Sequence, residues 1–427
     1  MKTKKILFLM IILLSIIMIL ISGKKVSDKN KTKISFWCTD AYDDNKNAVW
    51  QQLADEYMAV NPKVLIEVSI IPNEALKQKL SVSLVSGELP DIFSSWGGDK
   101  FNELVKAGLL KDITKELKGT NWGKSFFQST LNVYSYDNKY YGVPYDMGAI
   151  GIWYNKKIFK ELDLKPFKTW DELIEAVKKI KESGYGYIPI SLGSADKWPA
   201  SFWWTYLATR IGGKEAFIKA YNGQGAFNDT VFIEAGKKLV ELIELKPFQV
   251  GFLDASYIDQ ETLIGSSKAV MELMGHWTPY VQQSYFGDDG GLEDDLGWMP
   301  FPMIEGGKGN PDDLIGGGNG IIISKNAPKE TIDFLKYITN IENQKILIKT
   351  LEIIPTVKGL KNEVNEPHKK IIYDMLDKAE YLQLYYDQYL PLNVGSTILN
   401  TVYELFSGKT SPENVADLIE ESMSNVR

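Results

Sequence analysis

The sequence predicts an open α/β fold organised as two units. Strand-like segments alternate with amphipathic helices, the alternation restarts after about residue 150, and about 400 residues follow an apolar leader, too many for one ordinary core.

The first unit opens with a strand at Ile34 to Trp37. The helix after it places Val49, Leu53 and Tyr57 on one face, and Asn61-Pro62 stops it. Val64 to Ile70 is the second strand. The next helix carries Leu76, Leu80 and Leu84 at helical spacing and ends at Gly87, from which Leu89-Pro90 leads into a short strand, Asp91 to Phe93. In the second unit, Thr169-Trp170-Asp171-Glu172 is a capping box opening a helix to Ser183, followed by a strand at Ile188 to Ser191 and a helix from Ala200 to Ile211. Helices dominate from Ala327 onward, and the chain has no internal repeat or low-complexity linker.

The leader has the organisation of an export signal. Met1-Lys2-Thr3-Lys4-Lys5 is basic, Ile6 to Ile21 is apolar apart from Ser15, and Ser22-Gly23 precedes a polar stretch to Thr32. The apolar run is shorter than the roughly 20 residues of a spanning helix, so residues 1–23 read as a cleaved signal peptide and 24–32 as a polar linker. Leu20-Ile21-Ser22-Gly23 resembles the lead-in to a bacterial lipoprotein processing site, but Lys24 stands where the lipid-bearing cysteine would be, which removes the lipid anchor. A retained signal anchor is the other reading.

Composition excludes several functions. Cys38 is the only cysteine, so no intramolecular disulfide forms, and with His276 and His368 the only histidines there is little material for a transition-metal site. The net charge of −7, with no basic cluster outside the leader, argues against nucleic acid as a partner. No Gly-x-Ser-x-Gly elbow or His-Glu-x-x-His is present, and Gly408-Lys409-Thr410 lacks the upstream glycine of a phosphate loop. The acidic run Asp288 to Asp295 departs from the calcium-loop spacing and reads as a solvated turn.

Tryptophan recurs beside glycine, aspartate and turn residues: Ser95-Trp96-Gly97-Gly98-Asp99, Lys197-Trp198-Pro199, Trp203-Trp204 and Gly275-His276-Trp277. An indole packs against the C–H face of a sugar ring while neighbouring polar groups take the hydroxyls, so aromatic plus carboxylate suits a neutral polyol. Trp203 and Trp204 alternate on a helix, so at least one faces the core.

The order of signals resembles the extracellular solute-binding proteins of bacterial ABC importers, in the sugar-binding group that includes the maltodextrin-binding protein. The segments that carry this resemblance are Ile34-Ser35-Phe36-Trp37, Ser86 to Phe93, Ala107 to Ile113, Tyr141 to Asp146, Trp153-Tyr154-Asn155-Lys156, Lys168 to Leu173, Ala269-Val270-Met271 with Gly275 and Trp277, and Phe406 to Glu413. The resemblance implies a two-lobed periplasmic-binding-protein fold of type II, each lobe an open α/β sheet flanked by helices, with ligand in the cleft between lobes. Lobe one is assigned residues 33–146 plus 318–355, and lobe two 147–317 plus 356–427. The stretch from Val143 to Asn155 is the first crossing, and Gly316 to Ile323 is the strand returning to lobe one, its glycines absorbing hinge dihedral changes. The helix from Pro328 to Thr339 packs on lobe one.

Carried over position by position, the resemblance gives Asp40, Trp96, Asp99, Lys100, Tyr145, Asp146 and Trp277 as cleft residues, with Trp198 supplying further stacking and Asn319 and Asp387 as additional contacts. Carboxylates accept paired hydroxyl hydrogen bonds, Lys100 donates, and Trp96 and Trp277 offer stacking faces from opposite lobes. Asp99 also reads as the N-cap of a helix to Ala107, Asp40 as a solvated loop residue, and Trp170 as a helix-start residue without ligand role. The implied function is the substrate-binding component of an ABC importer: exported, monomeric, without cofactor or metal, partnered by a sugar or oligosaccharide and by the permease subunits. Three alternatives stand beside it. A secreted hydrolase would use carboxylates such as Asp40, Asp99 and Asp146, a sensory binding protein would hand its ligand to a membrane receptor, and a polyamine binder would cage a cation with carboxylates.

Overall fold

Strand β1 (Thr32–Thr39) alternates as a half-exposed strand should, burying Ile34, Phe36 and Cys38 on one face. It pairs in parallel with β2 (Val64–Ile71) on one side and β3 (Ile92–Ser95) on the other. The connecting helices are Asp44–Val60, which buries Val49, Trp50, Leu53 and Tyr57, and Asn73–Ser86, which ends at Gly87 in the left-handed conformation (φ 75). The computed structural model describes residues 31–39, 44–286 and 291–427. The expected signal peptide, linker residues 24–30 including Lys24, the site candidate Asp40 and the acidic residues Asp288 and Asp289 lie outside the described residues.

A two-residue hairpin, β4 (Ser135–Tyr136) and β5 (Lys139–Tyr140), turns on Asp137 and Asn138, both at positive φ as its turn type requires. The chain then passes from one sheet to the other, because β6 (Gly142–Ala149) lies in the first and β7 (Gly151–Asn155) in the second. The second sheet is ordered β10-β7-β9-β8, with β8 (Ile188–Ile190), β9 (Ala269–Met274) and β10 (Leu296–Met299). The capping box at Thr169 and Glu172 is formed, and it opens the helix Trp170–Glu182. Strand β11 (Leu314–Ile323) returns to the first sheet, pairing antiparallel with β6 and β3, while β12 (Leu382–Leu384) adds in parallel at its start. The helix Glu330–Ile338 packs Phe334 and Leu335 against the β1, β2 core. Among the described residues no helix is long and apolar enough to cross a membrane.

The glycines of β11 do not serve as soft dihedrals, since none of Gly316, Gly317, Gly318 and Gly320 has positive φ and all lie in register within the sheet. They serve close approach. A Cβ would stand 2.1 Å from the Gly148 carbonyl at Gly316, 2.4 Å from the Tyr385 ring at Gly317, 2.2 Å from the Asp146 carbonyl at Gly318 and 2.1 Å from the Tyr134 ring at Gly320. Trp203 and Trp204 are both buried, because residues 199–210 of the helix Trp198–Tyr221 are enclosed on every side. That helix also runs past Ile211 and breaks its dihedrals at Gly213 (φ 68).

Candidate functional site

Three groups of side chains gather where the two sheets meet. The first is an aromatic wall. Trp198 begins the helix Trp198–Tyr221, Tyr257 begins the helix Tyr257–Gly265, and Trp277 directly precedes the helix Thr278–Phe286. Helix starts from distant parts of the sequence thus place three rings together: Trp198 lies 4.9 Å from Tyr257 and 6.3 Å from Trp277 between ring centroids. Tyr385 extends the wall, 6.4 Å from Trp277 and 5.3 Å from Phe202, and rests on the bare backbone of Gly317. The turn before Trp277 is pinned from the second sheet, where Trp153 Nε1 donates to the Gly275 carbonyl at 2.9 Å. Trp198, Tyr257 and Trp277 are each half-buried, which leaves part of each ring open to solvent.

The second group sits at the crossing itself. Asp146 and Asn319 face each other in the β6–β11 register, beside a bulge that leaves Tyr145 unpaired. The Asp146 carboxylate accepts from Asn319 Nδ2 at 3.2 Å and from the Ile354 backbone N–H at 3.1 Å, and its Oδ2 lies 3.3 Å from His276 Nε2. His276 belongs to the turn after β9, so this contact ties the two sheets together. Tyr145, on the opposite side of the strand, is 3% exposed and packs at 5.0 Å against Trp50, within the core of the first sheet. Burial and the neighbouring Asp146 push its hydroxyl well above the ordinary tyrosine range.

The third group surrounds a cavity of about 220 Å³ lined by Lys77, Trp96, Asp99, Lys100, Asp387 and Gln388, among others. Gly97 and Gly98, at φ 74 and 72, fold the turn after β3 so tightly that a Cβ on Gly98 would stand 2.0 Å from the Gln388 carbonyl. The turn therefore sits directly on the segment carrying Asp387. Gly97, not Asp99, is the N-cap of the helix Gly98–Lys106, and Asp99 lies in its first turn, where the helix dipole favours a carboxylate. Burial and Glu103 raise the Asp99 carboxyl above its ordinary value, against Lys106 and a hydrogen bond from the Leu392 backbone. Burial pushes Asp387 up to about 6, with Lys77 opposing. The Lys77 ammonium also stands 5.5 Å over the Trp96 ring.

The structure thus groups Trp96, Asp99, Lys100 and Asp387, joins Asp146 to Asn319, and sets Trp198 beside Trp277. Sequence reasoning missed Tyr257, Tyr385, His276 and Gln388. His276 stood inside the Gly275-His276-Trp277 string and Tyr385 two residues before Asp387, whereas Tyr257 carried no signal beyond the capping Ser256. Three polar atoms at the junction are buried without a hydrogen-bond partner among the described residues: the Tyr385 hydroxyl, Gln388 Oε1 and His276 Nδ1. Unpaired groups of this kind cost stability unless a water or a ligand satisfies them. A further cross-sheet contact lies at the opposite rim, where Lys46 Nζ binds Glu352 at 2.9 Å and Gln283 at 3.2 Å and stands 4.3 Å over the Tyr280 ring.

Comparison with known proteins agrees with this architecture. A multiple sugar-binding protein of Streptococcus mutans is 25% identical over 375 residues, covering 83% of this chain and 83% of that one. An uncharacterized ABC transporter extracellular-binding protein of Pyrococcus horikoshii is 27% identical over 292 residues, covering 66% of this chain and 63% of its own length. A solved structure from work on xylan utilization by the thermophile Caldanaerobius polysaccharolyticus superposes with a TM-score of 0.79 at 26% identity, covering 91% of this chain and 99% of that one. The fold is therefore the two-lobed, type II periplasmic-binding-protein fold. The family model for bacterial extracellular solute-binding proteins matches residues 43–345, well over half of the sequence. The chain belongs to the bacterial extracellular solute-binding protein family.

Proposed function

We propose that the protein is the extracytoplasmic substrate-binding component of an ABC importer, which holds a sugar or oligosaccharide between its lobes and delivers it to the membrane permease. The observation that carries this reading is the aromatic wall Trp198, Tyr257, Trp277 and Tyr385 set beside unpartnered polar atoms at the lobe junction. Open ring faces suit the C–H face of a sugar, and the Tyr385 hydroxyl, Gln388 Oε1 and His276 Nδ1 suit its hydroxyl groups. The multiple sugar-binding relative supports the ligand class. In this reading Trp96, Asp99 and Lys100 line the lobe-one side, Asp387 faces them from lobe two, and Tyr145 supports β6 from the core. The lobes divide at 146/147, 317/318 and 355/356, and the protein acts as a monomer, without catalysis.

Ligand touched by both lobes favours the closed form by its differential contacts, and closure presents a surface to the permease. A thermal-shift screen over mono- and oligosaccharides tests the reading, because a ligand that binds only the folded state raises the melting temperature by mass action. At least one sugar is expected to do so. A screen in which no sugar shifts the melting temperature while a polyamine or a peptide does would overturn it.

A further inference from the structure

Directly behind the aromatic wall lie two carboxyl groups that the binding reading does not use. Glu261 is 1% exposed and Glu272, in the middle of β9, is 0% exposed. Both reach for the same hydrogen, since Thr278 Oγ1 is 3.0 Å from Glu261 Oε1 and 3.3 Å from Glu272 Oε1. The other donors are Gln260 Nε2, 3.0 Å from Glu272 Oε2, and the Tyr257 hydroxyl, a partner of Glu261. No described lysine, arginine or histidine forms an ion pair with either glutamate. Across β9 the paired residues are Trp153 on β7 and Ile188 and Ile190 on β8, none ionisable, and Arg210 on the neighbouring helix is bound to the Phe301, Asn310 and Asp313 carbonyls. Two carboxylates side by side in a closed, cation-free site cannot both be ionised, so at least one proton stays on the pair.

The residues that hold the pair also build the wall. Tyr257 packs its ring on Trp198, and Thr278 follows Trp277 in the chain. Gln260, which donates to Glu272, accepts from the Gly193 backbone at 2.8 Å and so fixes the strand-end loop that precedes Trp198. We propose that Glu261 and Glu272 form a proton-holding pair that positions Trp198, Tyr257 and Trp277, so that loss of one of its two protons loosens the wall and weakens ligand binding. The binding half of this proposal rests on the sugar-binding reading; the structural half does not. Burial and the mutual repulsion of the pair place Glu261 well above the ordinary carboxyl range, and burial places Glu272 at about 7. A folded state that holds these protons more tightly than the unfolded chain is most stable at acidic pH and loses that contribution as pH rises through about 7.

The test uses the full chain without ligand. Infrared difference spectra should show a protonated carboxyl band that fades as pH rises through neutrality, with a parallel change in near-ultraviolet tryptophan circular dichroism. Glu272→Gln keeps the shape, cannot titrate and should remove both changes; Glu261→Gln is the second variant should the first fail to fold. A band and a tryptophan signal that titrate unchanged in the variants would overturn the proposal, as would a wild-type protein with no such band. With any sugar that the thermal screen identifies, the wild-type Kd should rise about threefold or more from pH 6 to pH 9 and that of Glu272→Gln should stay level. Failure of every sugar to bind would refute the sugar reading and leave the spectroscopic result standing.

Discussion

Replacing Trp277 by alanine separates stacking on ligand from packing within the protein. The ring sits 5.4 Å from His276, 6.3 Å from Trp198 and 6.4 Å from Tyr385, at interplanar angles of 71°, 63° and 80°. Edge-on pairs of this kind contribute about 0.5–1.5 kcal/mol each, and truncating a fully buried tryptophan costs about 3–5 kcal/mol. Because Trp277 is half-buried, the variant should lose about 1.5–3 kcal/mol of stability and remain folded. The ligand term is calculated separately. A sugar ring covering about 70 Å² of indole at about 25 cal/mol per Å² contributes about 1.8 kcal/mol, which is roughly 20-fold in Kd.

The two terms are read by different assays. Urea unfolding followed by far-ultraviolet circular dichroism gives the stability loss. Isothermal titration calorimetry, performed well below the melting temperature of the variant, gives the change in Kd for a sugar that binds the wild type. Trp277→Phe keeps a smaller ring and should recover part of both losses. A variant with lowered stability but wild-type affinity would show that Trp277 only packs, and would remove the central residue of the proposed wall.

Further outcomes follow from the neighbours of the site. Gly317→Ala sets a Cβ 2.4 Å from the Tyr385 ring, so it should cost about 1–3 kcal/mol by overpacking and, by displacing a wall residue, weaken sugar binding in the same calorimetric assay. Asp387, whose carboxyl is raised to about 6, carries a stability cost that grows as pH rises from the ordinary aspartate range through about 6. Asp387→Asn should therefore stabilise the protein by about 1–3 kcal/mol at pH 7.5 and by little near pH 4, read from urea midpoints, while weakening ligand binding. His368 is held down to about 3 by burial and by Lys369 and Lys156, and its ring packs 4.9 Å from Trp153. The unfolded chain takes up that proton first, so folding stability should fall by about 1.4 kcal/mol per unit as pH drops below about 6.5, and His368→Phe should flatten that slope in urea titrations.

What could be read from the chain depended on how locally each feature is determined. Thr169 and Glu172 bond each other's backbone within one turn, and Gly87 closes a helix whose apolar spacing is visible over a dozen residues, so both were legible. Where the surroundings decide, local pattern misled. Asp99 has the chemistry of an N-cap, yet the tight turn at Gly97 and Gly98 takes that position because Gln388, nearly 300 residues away, leaves no room for a side chain. Trp203 and Trp204 lie on a helix enclosed on all sides, where helical periodicity carries no inside and outside. Tyr257 and Tyr385 join the wall only through tertiary contact, so nothing around them in the sequence sets them apart from other tyrosines.

The glycine run in β11 illustrates the same limit and also bears on how the lobes move. Read as sequence, four glycines in five residues suggest freedom; in the sheet, each is held in register and bounded by a carbonyl or an aromatic ring closer than any Cβ tolerates. A strand packed this closely is a stiff element, since any twist that brought its neighbours nearer would meet hard contact. The irregular points of the crossing lie elsewhere. Tyr145 is the unpaired residue of a bulge, Ile150 separates β6 from β7, and Glu352 adopts the left-handed conformation (φ 56) where the chain turns back past Asp146. Asp146 sits among them, bonded at once to β11 and to the Ile354 backbone and set toward His276, so that its carboxylate links the strand crossing to the second sheet.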